Sequence, residues 1–231
     1  MSTDLRAVDG LDELIDYYRE PPIGVRANMI FSADGAAAFS GRVAPLSDPT
    51  DQQLLVALRD FADVVLVGAA TARAENYGPV KPTENGARPA RMAVVSRSGN
   101  LPDSLFASPA QRPILVTSAK AVSQNALDGD DRWELLVAGD ETVDVTVMAT
   151  ELRQRGLSRV LCEGGPTLLD ELVTADLIDE ICVTLAPKLA GAQLPGTASP
   201  GLSAPTMLRL EHVLSHRDYL YLKYSSTRHG T

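Results

Sequence analysis

Hydrophobic positions change period several times along the chain, and the changes mark its elements. Near the N-terminus, Leu11, Leu14, Ile15 and Tyr18 recur at helical spacing until Pro21 and Pro22 end the pattern. This predicts a short helix in an extension over residues 1–22, packed on the body. Ile23–Phe31 is apolar-rich and reads as a strand; Ser32 to Gly35 follow as a tight turn, and Ala36–Phe39 read as a second strand. Asp48 stands as an N-cap with Pro49 at the first helical position, opening a helix whose apolar stripe is Leu54, Leu55, Leu58 and Phe61. Beyond it come short, continuous apolar runs: Val64–Val67, Met92–Val95, Ile114–Val116, Leu135–Val137 and Val160–Cys162. Parallel strands covered on both faces have this pattern. Helical segments over Ala119–Leu127 and Val147–Arg155 lie between them, the second closed by Gly156.

The last quarter of the chain departs from that alternation. Ile178–Leu185 is a strand, Gly191–Pro205 reads as a long loop, and Met207–His216 and Tyr219–Tyr224 are strands joined by a very short connection. Strands so close must pair antiparallel. The expectation is therefore an α/β fold over residues 23–224: a mixed, mostly parallel sheet with a C-terminal antiparallel hairpin and helices on both faces. Residues 225–231 read as a frayed tail. Leu220, Leu222 and Tyr224 alternate with Tyr219, Tyr221 and Lys223. An aromatic-rich edge strand of that kind suits the surface of a homodimer, although it equally describes a plain amphipathic edge strand.

Composition narrows the function. The chain has 231 residues, 45% of them hydrophobic, enough for one large domain. Thirty acidic residues against 21 Lys and Arg give a net charge of -9, which disfavours nucleic acid as the partner. Neither a membrane span nor a signal peptide is visible, so the default location is cytoplasmic. Cys162 and Cys182 read as reduced, structural thiols, and three histidines offer no dedicated zinc set.

Ligands of such sheets bind beyond the C-terminal ends of the strands. Gly164 and Gly165 follow the run Val160–Cys162 directly and precede a helix starting at Pro166 and Thr167. That junction either cradles a diphosphate on the free N–H groups of the helix or serves turn geometry alone. Gly68 follows Val64–Val67 in the same way; Thr71 can donate to a phosphate, and Arg73 can neutralise charge or remain an ordinary exposed helix residue. Ser96 and Arg97 at the end of Met92–Val95 suit the 2′-phosphate of NADP, or else form a polar turn. No GxGxxG fingerprint or Walker lysine motif is present. Asp34, with Asn28 and Ser32 upstream, either meets a polar heterocycle or helps deliver a proton, or simply makes a turn with Gly35.

Taken in order, these segments carry a resemblance. Arg26 through Gly35, Leu58-Arg59 through Ala62-Asp63, Gly68 with Thr71 and Glu75-Asn76-Tyr77, Val95 through Gly99, Glu163 through Leu168, and Asp179-Glu180 with Leu185 through Gly191 resemble the pyrimidine reductase family of riboflavin biosynthesis. That family shares the dihydrofolate reductase-like fold. The resemblance implies hydride transfer from NADPH that reduces a ribosylamino side chain to a ribitylamino one, as in 5-amino-6-(5-phosphoribosylamino)uracil reductase. It implies that Gly68, Thr71, Arg73, Ser96, Arg97, Gly164, Gly165, Pro166, Thr167 and Leu168 form the cofactor side. Asn28, Ser32, Arg59 and Asn76 fall on the substrate side, with Arg59 at the position of a phosphate-binding arginine. Asp34 and Glu163 are the implied catalytic residues. Two departures bear on substrate. The family's Ser-Leu-Asp-Gly-Lys or -Arg element has Ala33 and Ala36 here, and Glu75-Asn76 replaces Asp-Asp-Pro. A reductase acting on dihydrofolate or another pteridine-like molecule is the alternative reading, and a non-enzymatic nucleotide-binding protein a distant third.

Overall fold

The computed structural model describes residues 5–82, 88–191 and 205–227. In chain order the elements are β1 (Leu5–Ala7), α1 (Leu11–Asp16), β2 (Gly24–Ser32), α2 (Pro49–Asp60), β3 (Val64–Gly68), α3 (Ala69–Ala74) and β4 (Arg91–Val95). A 3-10 turn at Asp103–Phe106 precedes β5 (Ile114–Thr117), α4 (Ala119–Asn125), β6 (Glu134–Val137), α5 (Val145–Gln154), β7 (Arg159–Cys162), α6 (Pro166–Thr174) and β8 (Ile178–Ala186). The chain closes with β9 (Leu208–His216) and β10 (Tyr219–Ser226). All ten strands form one sheet in the order β1-β9-β10-β8-β2-β7-β3-β4-β5-β6. Only β10 runs antiparallel to its neighbours, β8 and β9. The mixed α/β architecture expected from the apolar runs is the one observed.

Local chemistry accounts for most boundaries. Asp48 caps α2 by accepting the Asp51 N–H at 2.8 Å, and Pro49 follows it. At the far end of α5, Gly156 takes φ +76° and Leu157 N–H reaches Leu152 O, a left-handed close that glycine adopts without strain. Val64–Val67 is entirely buried, because apolar clusters press on β3 from both faces. One cluster joins the sheet to α1 and α2 through Leu14, Leu54 and Leu58; the other joins it to α5 and α6 through Met148, Leu152, Leu168 and Leu172. Cys162 and Cys182 are free and buried, and burial pushes both thiols up.

Four expectations are corrected. Ala36–Phe39 forms no strand: Ser32 Oγ accepts the Ala36 N–H at 2.9 Å and Phe39 makes one isolated bridge to Arg42, so the chain curls back on itself. β10 is not an edge. β9 and then β1 extend the sheet beyond it, and Tyr219 and Tyr221 point into the core. It also runs to Ser226, where pairing with Leu208 replaces an expected frayed end. Finally, the N-terminal segment is more than a docked helix. β1 pairs parallel with β9, and Arg26 and Lys223 donate to the carbonyls of Tyr18 and Tyr17 at 2.8 and 2.7 Å. Arg26 is itself buried against Glu180, 2.5 Å away. The loop expected over residues 191–205 lies outside the described residues apart from its two ends.

Candidate active site

Parallel order brings the C-terminal ends of β2, β7, β3 and β4 side by side, and a cavity of about 370 Å³ opens there. One wall is α2. Asp51, Gln52, Leu55 and Arg59 recur at spacings of one helical turn and face the cavity, while Leu54 and Leu58 on the neighbouring stripe are buried against the sheet. Leu55 therefore belongs to the pocket rather than to the core stripe. Asn28, Met29 and Ile30 from β2, Thr71 and Glu75 from α3, Asn76, Tyr77 and Glu163 complete most of the lining.

The strongest electrostatic feature joins three of these residues. Glu163 extends β7, its N–H bonded to Leu66 O of β3, and its side chain is 3% exposed. Arg59 meets it as a fork, Nε to Oε1 and Nη2 to Oε2, both at 2.7 Å, while Tyr77 Oη donates to Oε2 at 2.7 Å. The Arg59 guanidinium also lies 5.3 Å from the Tyr77 ring centroid. Burial works against the Arg59 charge, but the Glu163 carboxylate outweighs it and holds Arg59 firmly protonated. Burial and the same carboxylate push the Tyr77 phenol up. The fork uses one edge of the guanidinium and leaves the Nη1 edge available to a ligand oxyanion. Tyr77 was not singled out from the sequence, although it stands in the Glu75-Asn76-Tyr77 block; nothing in that string indicates a partner 86 residues away. Asn76 is in a left-handed conformation at φ +51° and accepts from Ser104 Oγ at 3.0 Å, which turns the chain to deliver Tyr77.

Ser32 and Asp34 are not part of this cavity lining. Ser32 Oγ donates to Asp34 Oδ1 at 2.5 Å, and Asp34 also accepts the N–H groups of Ala190 and Gly191 at 3.1 and 2.8 Å. The Ser32 hydroxyl foremost, then the backbone donors, hold the Asp34 carboxyl at about 2 against an ordinary 3.8. A group so acidic is ionised at neutral pH and is a poor proton donor. Asp34 pins the segment after β8 to the turn after β2.

The second group of expected residues lies on the other side of Thr71. Gly68 N–H bonds to Gly164 O at 3.0 Å, so the starts of α3 and α6 are adjacent. Gly165, the N-cap of α6, has φ +61° and no side chain to cap the helix. A Cβ on it would sit 3.4 Å from Thr71 Oγ1 and 3.6 Å from Gly68 Cα. This is a narrow cradle of glycine backbone at a helix N-terminus, a fit for a diphosphate. Pro166 and Thr167 are exposed at its rim; the Leu168 side chain is core, so only its backbone can face a ligand. Ser96 is buried after β4, and Arg97 is exposed beside α6, where its charge partly offsets the burial that pushes Glu171 up. Arg73 donates to Asn100 O at 2.6 Å and ties α3 to the loop carrying Ser96 and Arg97.

Residues 24–219 match the model of the RibD C-terminal domain. The chain belongs to that family. It is a RibD-type pyrimidine reductase domain, an oxidoreductase by class. A 2,5-diamino-6-ribosylamino-4(3H)-pyrimidinone 5′-phosphate reductase of Methanothermobacter thermautotrophicus is 26% identical over 193 residues, covering 80% of this chain and 88% of that protein. The crystal structure of a pyrimidine reductase-like protein from Corynebacterium diphtheriae superposes with a TM-score of 0.75 at 28% identity, over 90% of this chain and 92% of the other. The riboflavin biosynthesis reductase Rib7 of Saccharomyces cerevisiae shares the fold, with a TM-score of 0.64 at 18% identity over 93% of this chain and 98% of that one. Among the described residues, no helix is long and apolar enough to cross a membrane.

Proposed function

We propose that this RibD-type domain reduces the ribosylamino side chain of an aminopyrimidine 5′-phosphate to the ribitylamino form, with NADPH as reductant. The observation that carries this reading is the juxtaposition at the end of β7. Glu163 anchors the Arg59 fork on the cavity side, and the next two residues, Gly164 and Gly165, open the cradle. Substrate and cofactor sites thus meet across one residue step. Gly68, Thr71, Gly164, Gly165 and the backbone of Thr167 and Leu168 would hold the diphosphate, and Ser96 with Arg97 the 2′-phosphate. When bound, NADPH supplies the hydride. Arg59, held rigid by Glu163 and Tyr77, would present its Nη1 edge to the substrate phosphate. Asn28 and Asn76 would orient the sugar and ring.

A fluorescence titration with NADPH and NADH, followed by an absorbance assay with the phosphorylated pyrimidine, tests this directly. Arg59→Ala should raise KM by about 10-fold or more and leave NADPH affinity nearly unchanged. Unaltered kinetics in that variant would count against the assignment. One observation favours the alternative, a pteridine-like substrate such as dihydrofolate. Where the family has a basic residue after the Asp-Gly pair, Ala36 is buried with its N–H committed to Ser32, and supplies no cation. Turnover of dihydrofolate in preference to the phosphorylated pyrimidine would decide for it.

A further inference from the structure

The segment after β4, which carries Ser96 and Arg97, is anchored on its neighbours. Ser96 N–H bonds to Val116 O of β5 at 3.0 Å, and Arg73 of α3 donates to Asn100 O at 2.6 Å. The end of α4 holds the middle of the segment. Gly99, at φ +67°, lets the chain pass so close to Leu127 that a Cβ there would stand 2.6 Å from Leu127 Cδ2. Asn125, the last residue of α4, donates from Nδ2 to Arg97 O at 3.1 Å and to Ala121 O at 3.0 Å. Both neighbours are carbonyl acceptors, so the NH2 end of the amide must face them, and each of its protons has a partner. One proton binds the helix itself and the other binds the loop. Asn125 thereby ties Arg97 O to α4 across a separation of 28 residues.

The consequence falls on Ser96 and Arg97. A trans peptide is planar, so its C=O and N–H point opposite ways. Pinning Arg97 O on α4 directs Ser98 N–H away from that helix, and Ser98 N–H points at Ser96 Oγ, 3.4 Å away. A hydroxyl that accepts from its own loop keeps its proton for an outside acceptor. Arg97 leaves from the same peptide, so the same bond sets where its exposed side chain starts. Glu171 on α6 competes by charge for the Arg97 guanidinium, and a fixed start lowers the ordering cost of reaching a ligand instead. We propose that Asn125 is a positioning residue for cofactor choice. It holds the Arg97–Ser98 peptide so that the Ser96 hydroxyl and the Arg97 guanidinium are presented together to the 2′-phosphate of NADPH. The inference rests on the reading of Ser96 and Arg97 as the 2′-phosphate site, and deepens it by naming a residue outside the contact set that favours NADPH over NADH.

Calorimetric titration of the full chain with NADPH and with NADH reads the ratio of the two affinities. Asn125→Ala, and Asn125→Leu of similar shape but without the donors, should each lower that ratio by about 3-fold or more, through weaker NADPH binding. Ser123→Ala removes a hydrogen bond to Ala119 O on the same helix without touching the loop, and should leave the ratio unchanged. Amide hydrogen exchange over residues 96–100 of the ligand-free protein should quicken in both Asn125 variants and stay as it is in Ser123→Ala. Combined with Arg97→Ala, Asn125→Ala should cost less than the sum of the separate losses, because it acts through Arg97. An unchanged ratio in the Asn125 variants, whether or not exchange quickens, would overturn the proposal. So would equal losses for NADPH and NADH, the mark of a merely structural role. No NADPH preference in the unsubstituted protein, or one that Arg97→Ala leaves intact, would overturn the 2′-phosphate reading itself, and the proposal with it.

Discussion

Glu163 shows how one buried carboxylate organises a site. Three donors from α2 and from the segment after α3 converge on it, and removing its charge leaves the Arg59 guanidinium without its main partner in a largely buried position. Glu163→Gln is expected to cost about 1–3 kcal/mol of stability, read by denaturant unfolding. It should raise substrate KM together with Arg59→Ala, since both changes release the same fork. Asp34 makes the opposite case. Its folded-state pKa is depressed, so the stability it contributes is complete above about 4 and is lost as pH falls through about 2. Asp34→Asn should therefore leave the limbs of the kcat profile between about pH 5 and 9 where they were, and weaken the protein's resistance to acid only at the low end. A limb near neutrality that vanishes in Asp34→Asn would restore the carboxyl to proton delivery.

The starts of α3 and α6 act as a pair, because hydrogen bonding between Gly68 and Gly164 brings them together. Gly165→Ala would place a methyl group between them at a backbone angle that alanine adopts with strain. A loss of about 1–3 kcal/mol is expected, with weaker NADPH binding measured by calorimetry. Arg97, further along the same face, is expected to distinguish cofactors. Arg97→Ala should weaken NADPH by about 10-fold or more and leave NADH nearly untouched. Equal losses for both would remove it from the 2′-phosphate.

Across the molecule, the homodimer expected from the C-terminal hairpin would need a different surface. β10 is interior, and its buried tyrosines are unavailable; the outward residues are Leu220 and Leu222, flanked on β8 by Val183 and Leu185. These four are partly exposed and pack into neither core cluster. A sheet face of this kind is suited to a second copy of itself about a twofold axis. Light scattering at micromolar concentration should give about twice the chain mass of 24.6 kDa. Leu222→Glu, facing outward, should shift the protein toward monomer while its far-ultraviolet spectrum is retained. A monomer mass for the unsubstituted chain throughout the concentration range would end the idea.

Fold class, strand direction and the glycine junctions were legible because they rest on local signals. Val64–Val67 is too short for a helix and uniformly apolar, as an inner strand is, Asp48 and Pro49 open α2, and two glycines after β7 allow a close backbone approach or a tight turn. The hairpin was legible from a two-residue connection. What lay beyond the sequence depended on side chains meeting across long separations. Arg59 and Glu163, 104 residues apart, look like two independent candidates in the string and become one ion pair only when α2 is laid across the end of β7. Asp34 reads in the string as either a turn residue or a proton-delivering one, with no sign that the segment after β8 returns to bind it, and β10 looks like an edge until β9 and β1 are added outside it. Periodicity reports which face of an element is buried. Which neighbour buries it, and hence whether a charged group is free to act or already committed, follows from sheet order and helix placement alone.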